Sequence, residues 1–181
     1  MSSTLKPRDA RDVLEAVAWA AAEGQPLEVL GHGSKRGLGR PVQAENTLDL
    51  SGLSGILAYE PAELYLTALP GTPRTEIEAA LAARGQLLAF EPMDLAGLYG
   101  AGAGSIGGIF AANLSGPRRF KAGAARDHLL GFKAVSGRGE SFKSGGTVVK
   151  NVTGYDLSKG LAGSFGTLAV LTEVTLKVLP A

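Results

Sequence analysis

The chain has 181 residues, 45% of them hydrophobic and 19% charged, with a formal net charge of +1 and no cysteine. That balance excludes an intrinsically disordered chain, and the near-neutral charge argues against nucleic acid or an anionic membrane as partner. Without cysteine there are no disulfides, Cys-ligated zinc or iron–sulfur clusters and no thiol catalysis in this chain, which fits a cytosolic protein.

The first predicted element is a helix that Asp9 caps. Its apolar positions Val13, Ala16, Val17 and Ala20 recur at helical spacing, and Gly24 ends it. The apolar run 16–22 is too short to span a bilayer, and residues 1–11 hold no apolar core of signal-peptide length. Pro26 introduces a strand over 27–30, a glycine-rich loop follows over 31–39, and a second strand is expected over 47–50. Residues 56–59 and 64–69 read as paired strands. Thr72 is placed as cap and Pro73 as first residue of a helix that buries Ile77, Ala80 and Leu81 and stops at Gly85. Residues 87–90 are extended and Pro92 fixes a turn. Ser105 caps a short helix over 106–113. Strands at 128–136 and 140–142 are joined by Gly137-Arg138-Gly139, residues 148–156 form a loop entering a short helix, and 168–178 is the last strand. This order gives an α+β chain, divided into a smaller α/β subdomain (1–55) and a larger α+β subdomain (56–181).

The 26 glycines are roughly twice the ordinary share of about 7%. They alternate with apolar runs, so they mark special backbone geometry inside a packed fold. In the first loop, Gly31, Gly33, Gly37 and Gly39 let successive N–H groups face one concavity; Ser34 adds a hydroxyl, and Lys35 or Arg36 a positive charge. Taken alone, this loop fits a plain turn between two strands equally well. It lacks the ending of a P-loop and opens no long helix in the Rossmann manner. The second loop carries Gly100, Gly102, Gly104, Gly107 and Gly108 around Ser105 at a helix start, where unsatisfied N–H groups suit a phosphate. Close packing explains Gly107 or Gly108 but not the alternating glycines before them, which favours a pyrophosphate or dinucleotide ligand. His32 and His128 read as hydrogen-bonded structural residues and give no metal spacing. The basic stretch Arg118, Arg119, Lys121 and Arg126 reads as a solvated loop, with contact to a carboxylate or phosphate as the rarer use. The triplets beginning at Asn113 and Asn151 are accidental matches to the glycosylation pattern.

The order of landmarks resembles the FAD-binding domain of the vanillyl-alcohol-oxidase / p-cresol-methylhydroxylase (PCMH) type over essentially the whole chain. These landmarks are Pro26 through Ser34, Thr67-Ala68-Leu69-Pro70-Gly71, Glu91-Pro92, Gly104-Ser105-Ile106-Gly107-Gly108, Asn113 through Arg119, and Gly163 through Thr172. The run Gly145-Gly146 through Val149-Lys150-Asn151-Val152-Thr153-Gly154-Tyr155-Asp156-Leu157 is more specific. With Gly116 to Arg119 and Arg126-Asp127, it is similar to the FAD-binding E subunits of bacterial glycolate oxidases.

The resemblance implies an FAD-binding type-2 (PCMH-like) fold whose two subdomains clasp FAD. It places Gly31, His32, Gly33, Ser34 and Lys35, with Gly102, Gly104, Ser105, Ile106, Gly107 and Gly108, around the pyrophosphate. Pro92, Asn113, Gly116 and Pro117 lie along the flavin, and Gly166 and Val170 at the adenine end. Where some relatives attach flavin to a histidine, this chain has Ser34, so FAD is expected to be non-covalent. The implied substrate is a small 2-hydroxy acid oxidised by hydride transfer to flavin N5. The implied partners are a homologous flavin subunit and an iron–sulfur subunit. No catalytic residue and no metal are assigned. A non-catalytic FAD-binding scaffold subunit and the FAD domain of a D-lactate-type dehydrogenase are the alternatives. A C-terminal substrate or cap domain is absent, so a short form or a fragment is expected, with self-association through the surface a cap would cover. The expected location is the cytoplasm, or the periphery of the inner membrane through partner subunits.

Overall fold

A computed structural model of the chain describes residues 3–100, 102–147 and 155–181. The motif run 149–154 and most of the predicted loop 148–156 lie outside these residues. The first part runs β1 (Ser3–Leu5), α1 (Ala10–Ala22), β2 (Leu27–Leu30) and β3 (Asn46–Asp49). Then follow β4 (Ile56–Glu60), β5 (Tyr65–Ala68), α2 (Arg74–Ala82), β6 (Gln86–Leu87), α3 (Ala96–Tyr99), α4 (Ile106–Ala112), α5 (Arg119–Ala122) and α6 (Ala125–His128). The chain ends in β7 (Leu129–Ser136), β8 (Ser141–Gly145), α7 (Leu157–Leu161), β9 (Ala169–Lys177) and β10 (Leu179–Pro180).

Asp9 starts α1 as its position predicts. Its carboxylate accepts from the amides of Arg11 (2.8 Å) and Asp12 (2.9 Å), two donors with no partner inside the helix. The helix connects β1 to β2, which flank β3 in a three-stranded parallel sheet of order β1-β3-β2. β1 is a strand that the sequence reading did not contain. It is three residues long and is extended because β3 pairs with it. The second sheet is antiparallel and five-stranded, of order β4-β5-β9-β7-β8.

β9 ties the two parts together. Neighbouring residues of a strand face opposite sides. Leu171 therefore joins a core in which Ile77 and Leu81 of α2 and Ile106, Ile109 and Phe110 of α4 pack on the large sheet. Val170 joins the other core, with Val13 and Val17 of α1, Leu48 of β3, and Leu50 and Leu53. β7 divides in the same way, with Ala134 in the first core and Val135 in the second. Each fully buried Leu, Ile or Phe contributes roughly 1.5–3 kcal/mol. The first sheet is thus held to the second by an apolar seam on β7 and β9.

Several predicted boundaries move for identifiable reasons. Thr72 does not cap α2. Its hydroxyl donates to the Leu69 carbonyl (2.7 Å) and accepts from the Gly55 amide (2.9 Å), so Pro73 takes the cap position and α2 starts at Arg74. The extended stretch 87–90 contracts to β6, which pairs with β10. The strand expected from 128 begins at Leu129, because His128 closes the one-turn α6. The second hairpin strand runs Ser141–Gly145 and the last long strand Ala169–Lys177. The basic stretch is not a loop: Arg118 caps the one-turn α5, which holds Arg119 and Lys121, and Arg126 lies in α6. No helix among the described residues is long and apolar enough to cross a membrane.

Candidate functional site

The loop after β2 is built from amides that the fold leaves free. Arg36 N–H donates to Gly33 O (3.1 Å) and Leu38 N–H to Lys35 O (3.0 Å), which curls the chain. The amides of Gly31, His32, Gly33, Ser34 and Lys35 donate to nothing among the described residues. Gly33 sits at φ +68°, a conformation that glycine adopts without strain. The His32 ring is turned away to the protein, where Nε2 donates to Gly71 O at 2.8 Å and ties the loop to the segment before α2. Of the two neighbouring cations, Arg36 is taken. Its guanidinium holds both oxygens of the buried Glu28 at 2.7 Å. Lys35 turns the other way, with Nζ 3.2 Å from Ser34 Oγ. Burial pushes the Lys35 ammonium below the usual lysine range, and the nearby Arg74 pushes in the same direction.

The second loop reaches the same place. Ser105 is the N-cap of α4, its hydroxyl accepting from Gly108 N–H at 3.4 Å. The helix does not offer all its first amides to a ligand, as the sequence reading supposed. Ile106 N–H donates to Thr72 O (3.0 Å) and Gly107 N–H to Pro70 O (2.9 Å), because residues 70–72 run alongside. Gly107 is a packing glycine, since a Cβ there would lie 2.7 Å from Pro70 Cβ. The free donors are the amides ahead of the helix, Gly104 and Ser105, which bond to nothing among the described residues. The two loops touch. A Cβ on Gly31 would collide with Ser105 Oγ, and one on Gly104 would lie 2.5 Å from Ser34 Oγ.

The loops form one end of a cleft between β2 and α4. Gly31 to Arg36 line one side, with Ser105, Gly108, Ala111 and Ala112 of α4 opposite. Gly108, Ala111 and Ala112 share a helix face, and their small side chains leave room against it. Phe165, Gly166 and Thr167 close the cleft, and Val170 continues its wall beside Gly31 and Leu50. Residues 163–166 are held there by bonds from Gly163 N–H to Phe110 O (3.1 Å) and from Phe165 N–H to Ala111 O (2.9 Å). Ile106 is wholly buried and presents no side chain to the cleft. Gly102 is exposed and does not line it.

The remaining expected residues form a neighbouring cluster. Gly116 N–H donates to Glu91 O at 2.7 Å, and a Cβ on Gly116 would lie 2.8 Å from Glu91 Cβ. This close approach joins the segment that carries Pro117 to the one that carries Pro92. Asn113 ends α4 at φ +51°, and its side-chain oxygen accepts from Arg126 N–H (2.9 Å) at the start of α6. Ser115 Oγ takes the next amide, Ala125 N–H, at 2.8 Å. Arg118 and Arg119 are exposed on the turn that follows. His128 is fully buried against the Phe90 ring (5.1 Å), with Nε2 2.9 Å from Ala122 O. Among the described residues no group of His, Asp and Glu is placed to hold a metal ion.

The sequence reading missed Phe165 and Thr167, which close the cleft, as well as Ala111, Ala112 and Arg74. Ala111 and Ala112 follow Ser105 and Gly108 at helical spacing, a signal that was available. Arg74 gave no local signal. Its guanidinium pairs with Glu78 (3.1 Å) and Asp94 (3.0 Å), its amide donates to Gly104 O (3.0 Å), and its buried Nε has no partner among the described residues. Arg74 therefore sets the Gly104 loop from behind.

Comparison with known proteins shows the family and the fold. The family described as "FAD binding domain" matches residues 2–145. Glycolate oxidase subunit GlcE of Escherichia coli is 47% identical over 168 residues, which cover 93% of this chain and 46% of that relative. D-2-hydroxyglutarate dehydrogenase of Xanthomonas citri is 34% identical over 175 residues, covering 95% of this chain and 35% of that relative. The chain thus spans less than half the length of either. A solved alkyldihydroxyacetonephosphate synthase superposes with a TM-score of 0.76 at 21% identity, covering 98% of this chain and 31% of that one, which shows a shared fold.

Proposed function

The chain belongs to the FAD binding domain family and has the α+β, PCMH-like fold of that family, and from this premise we propose that it holds FAD non-covalently for a 2-hydroxy-acid oxidoreductase of the glycolate oxidase type. The observation that carries the reading is the convergence on one cleft of residues 31–35 and Ser105, whose amides have no partner among the described residues, with the Lys35 ammonium between them and Gly104 packed against Ser34 and Lys35. Such a cradle suits a diphosphate, whose oxygens accept several hydrogen bonds at once. The contacts also fit a bulky group: small residues line the α4 face, and glycines sit where the two loops meet.

In this reading Gly31 to Lys35, Gly104, Ser105 and Gly108 hold the diphosphate, and Gly166 and Val170 flank the adenosine end. Pro92 and the segment 113–117 border the ring. His32 contributes through its amide, since its ring is turned towards Gly71 O, to which Nε2 donates. When bound, FAD supplies the two-electron acceptor for hydride leaving the substrate α-carbon. The rigid α4 face and the 163–166 loop fix the ligand's position and keep water from the buried end of the cleft. Similarity to a protein named as an oxidase subunit supports assembly into a multi-subunit complex, with a homologous flavin subunit and an iron–sulfur subunit as the partners proposed. Similarity to a D-2-hydroxyglutarate dehydrogenase supports a second reading, the FAD domain of a dehydrogenase for a chiral D-2-hydroxy acid.

Reconstitution tests the cofactor. The purified chain mixed with FAD should elute with a flavin spectrum, melt at a higher temperature and release all its flavin on denaturation. No co-elution and no thermal shift would refute the reading. Anaerobic addition of glycolate or D-2-hydroxyglutarate to the assembled complex separates the substrates, and flavin that neither acid bleaches would leave this chain a scaffold.

A further inference from the structure

Among the described residues, Lys35 is the one cation of the cleft that the fold does not answer. Arg36 beside it is paired with Glu28, and Arg74 behind the second loop with Glu78 and Asp94. Among the described residues no carboxylate lies within ion-pair distance of Lys35, and the charged group that bears on it most is Arg74, another cation. Its Nζ lies between the two loops: 3.2 Å from Ser34 Oγ, 3.2 Å from where a Cβ on Gly104 would sit, and 3.8 Å from where one on Gly108 would sit. An ammonium has three N–H donors, and one of these is used on Ser34. Taking such a group partly out of water beside another positive charge is unfavourable, and a methionine would fill the space without that cost.

From this placement we infer that the Lys35 ammonium is the counter-charge for the diphosphate, and that it makes the cleft select a dinucleotide over the free isoalloxazine portion of the same cofactor. The inference rests on the FAD reading above. Ligand binding replaces the missing anion, so the ammonium gains two charge-assisted bonds while the free amides of 31–35 and 104–105 take the remaining oxygens. The diphosphate also stabilises the protonated lysine. FAD affinity therefore falls as pH rises through the Lys35 value of the free protein, which lies below the usual lysine range. The charged groups around it are Arg36, paired with Glu28, and Arg74, paired with Glu78 and Asp94.

The test titrates FAD and riboflavin into the wild-type chain, Lys35→Met and Lys35→Gln, following quenching of flavin fluorescence. Losing a charged hydrogen-bonding group should weaken FAD roughly 10- to 100-fold in Lys35→Met, with riboflavin changed less than about 2-fold. Lys35→Gln, which keeps an N–H donor without the charge, should fall between. The alkaline loss of FAD affinity should vanish in both variants, and neither flavin-free variant should unfold at a lower urea concentration than wild type. Equal FAD affinity in wild type and Lys35→Met would overturn the inference while leaving the FAD reading intact. So would equal losses for FAD and riboflavin, which would assign Lys35 a packing role. A wild-type chain that binds no flavin would overturn the FAD reading, and this inference with it.

Discussion

The contact between the two loops can be measured by a mutant cycle on Gly31 and Ser105. A methyl at Gly31 would overlap Ser105 Oγ and stand 3.3 Å from Ser105 Cβ. Two routes relieve the overlap. Rotating the hydroxyl away gives up the cap on Gly108 N–H, a change that costs about 0.5–2 kcal/mol. Pushing the loops apart is overpacking, at about 1–3 kcal/mol. Gly31→Ala should therefore destabilise the flavin-free chain by about 1–3 kcal/mol, and Ser105→Ala by about 1 kcal/mol through the lost cap. In the double variant the overlapping oxygen is gone, and the Cβ–Cβ contact needs only a shift of a few tenths of an ångström. The pair should then cost about 1 kcal/mol less than the sum of the singles. Urea unfolding of the four chains, fitted with a common slope, gives the coupling directly. Additivity within about 0.5 kcal/mol would mean that the loops do not touch in solution, and the shared cradle would fall with that contact.

Two further outcomes concern buried positions. Burial holds the His128 imidazole below its ordinary value, so the unfolded chain binds that proton more readily. Stability present above the unfolded value of about 6.5 is lost as pH falls through it towards the folded value. Thermal midpoints should drop between about pH 7.5 and pH 5, and drop less in His128→Gln; equal slopes would clear the histidine. Asp12, held down to about 2 by its hydrogen bond from Arg8, titrates below that window. Gly71→Ala would drive a methyl towards the carbonyls of Leu53 (2.8 Å) and Ser51 (2.9 Å), backbone atoms that cannot rotate aside. It should cost about 3 kcal/mol, the upper end of overpacking, in a urea titration; a near-neutral result would refute the packing of the segment that anchors His32.

The sequence disclosed those parts of the fold that local chemistry decides. Asp9 and Ser105 cap helices because their side chains reach the amides that follow them, wherever the helix later packs. The run 27–30 is a strand in the structure as in the pattern. β1 was illegible because three residues have no period, and only pairing with β3 extends them. α5 was illegible because glycine and proline around the arginines signal a loop, while the turn closes through backbone bonds such as Ala122 N–H to Arg118 O (2.8 Å). Arg74 could not be found from its neighbours in sequence, since its bearing on Lys35 comes from two segments meeting in space.

The glycines show most clearly where sequence reasoning stops. In sequence they form one signal, yet the structure uses them for two different ends. Gly107 and Gly116 let one backbone lie on another, against Pro70 and Glu91. At Gly33 a Cβ would meet nothing within 4 Å, and glycine serves there to turn the chain at φ +68°. Nor does glycine content decide which amides are free. Gly107 N–H is spent on Pro70 O, while the side-chain-bearing residues His32, Ser34, Lys35 and Ser105 keep theirs. A ligand reads donors and not residue names. The capacity to grip an anion therefore rests on how residues 70–72 run past α4, which consumes two helix amides and leaves the loop amides to face Lys35 across the cleft.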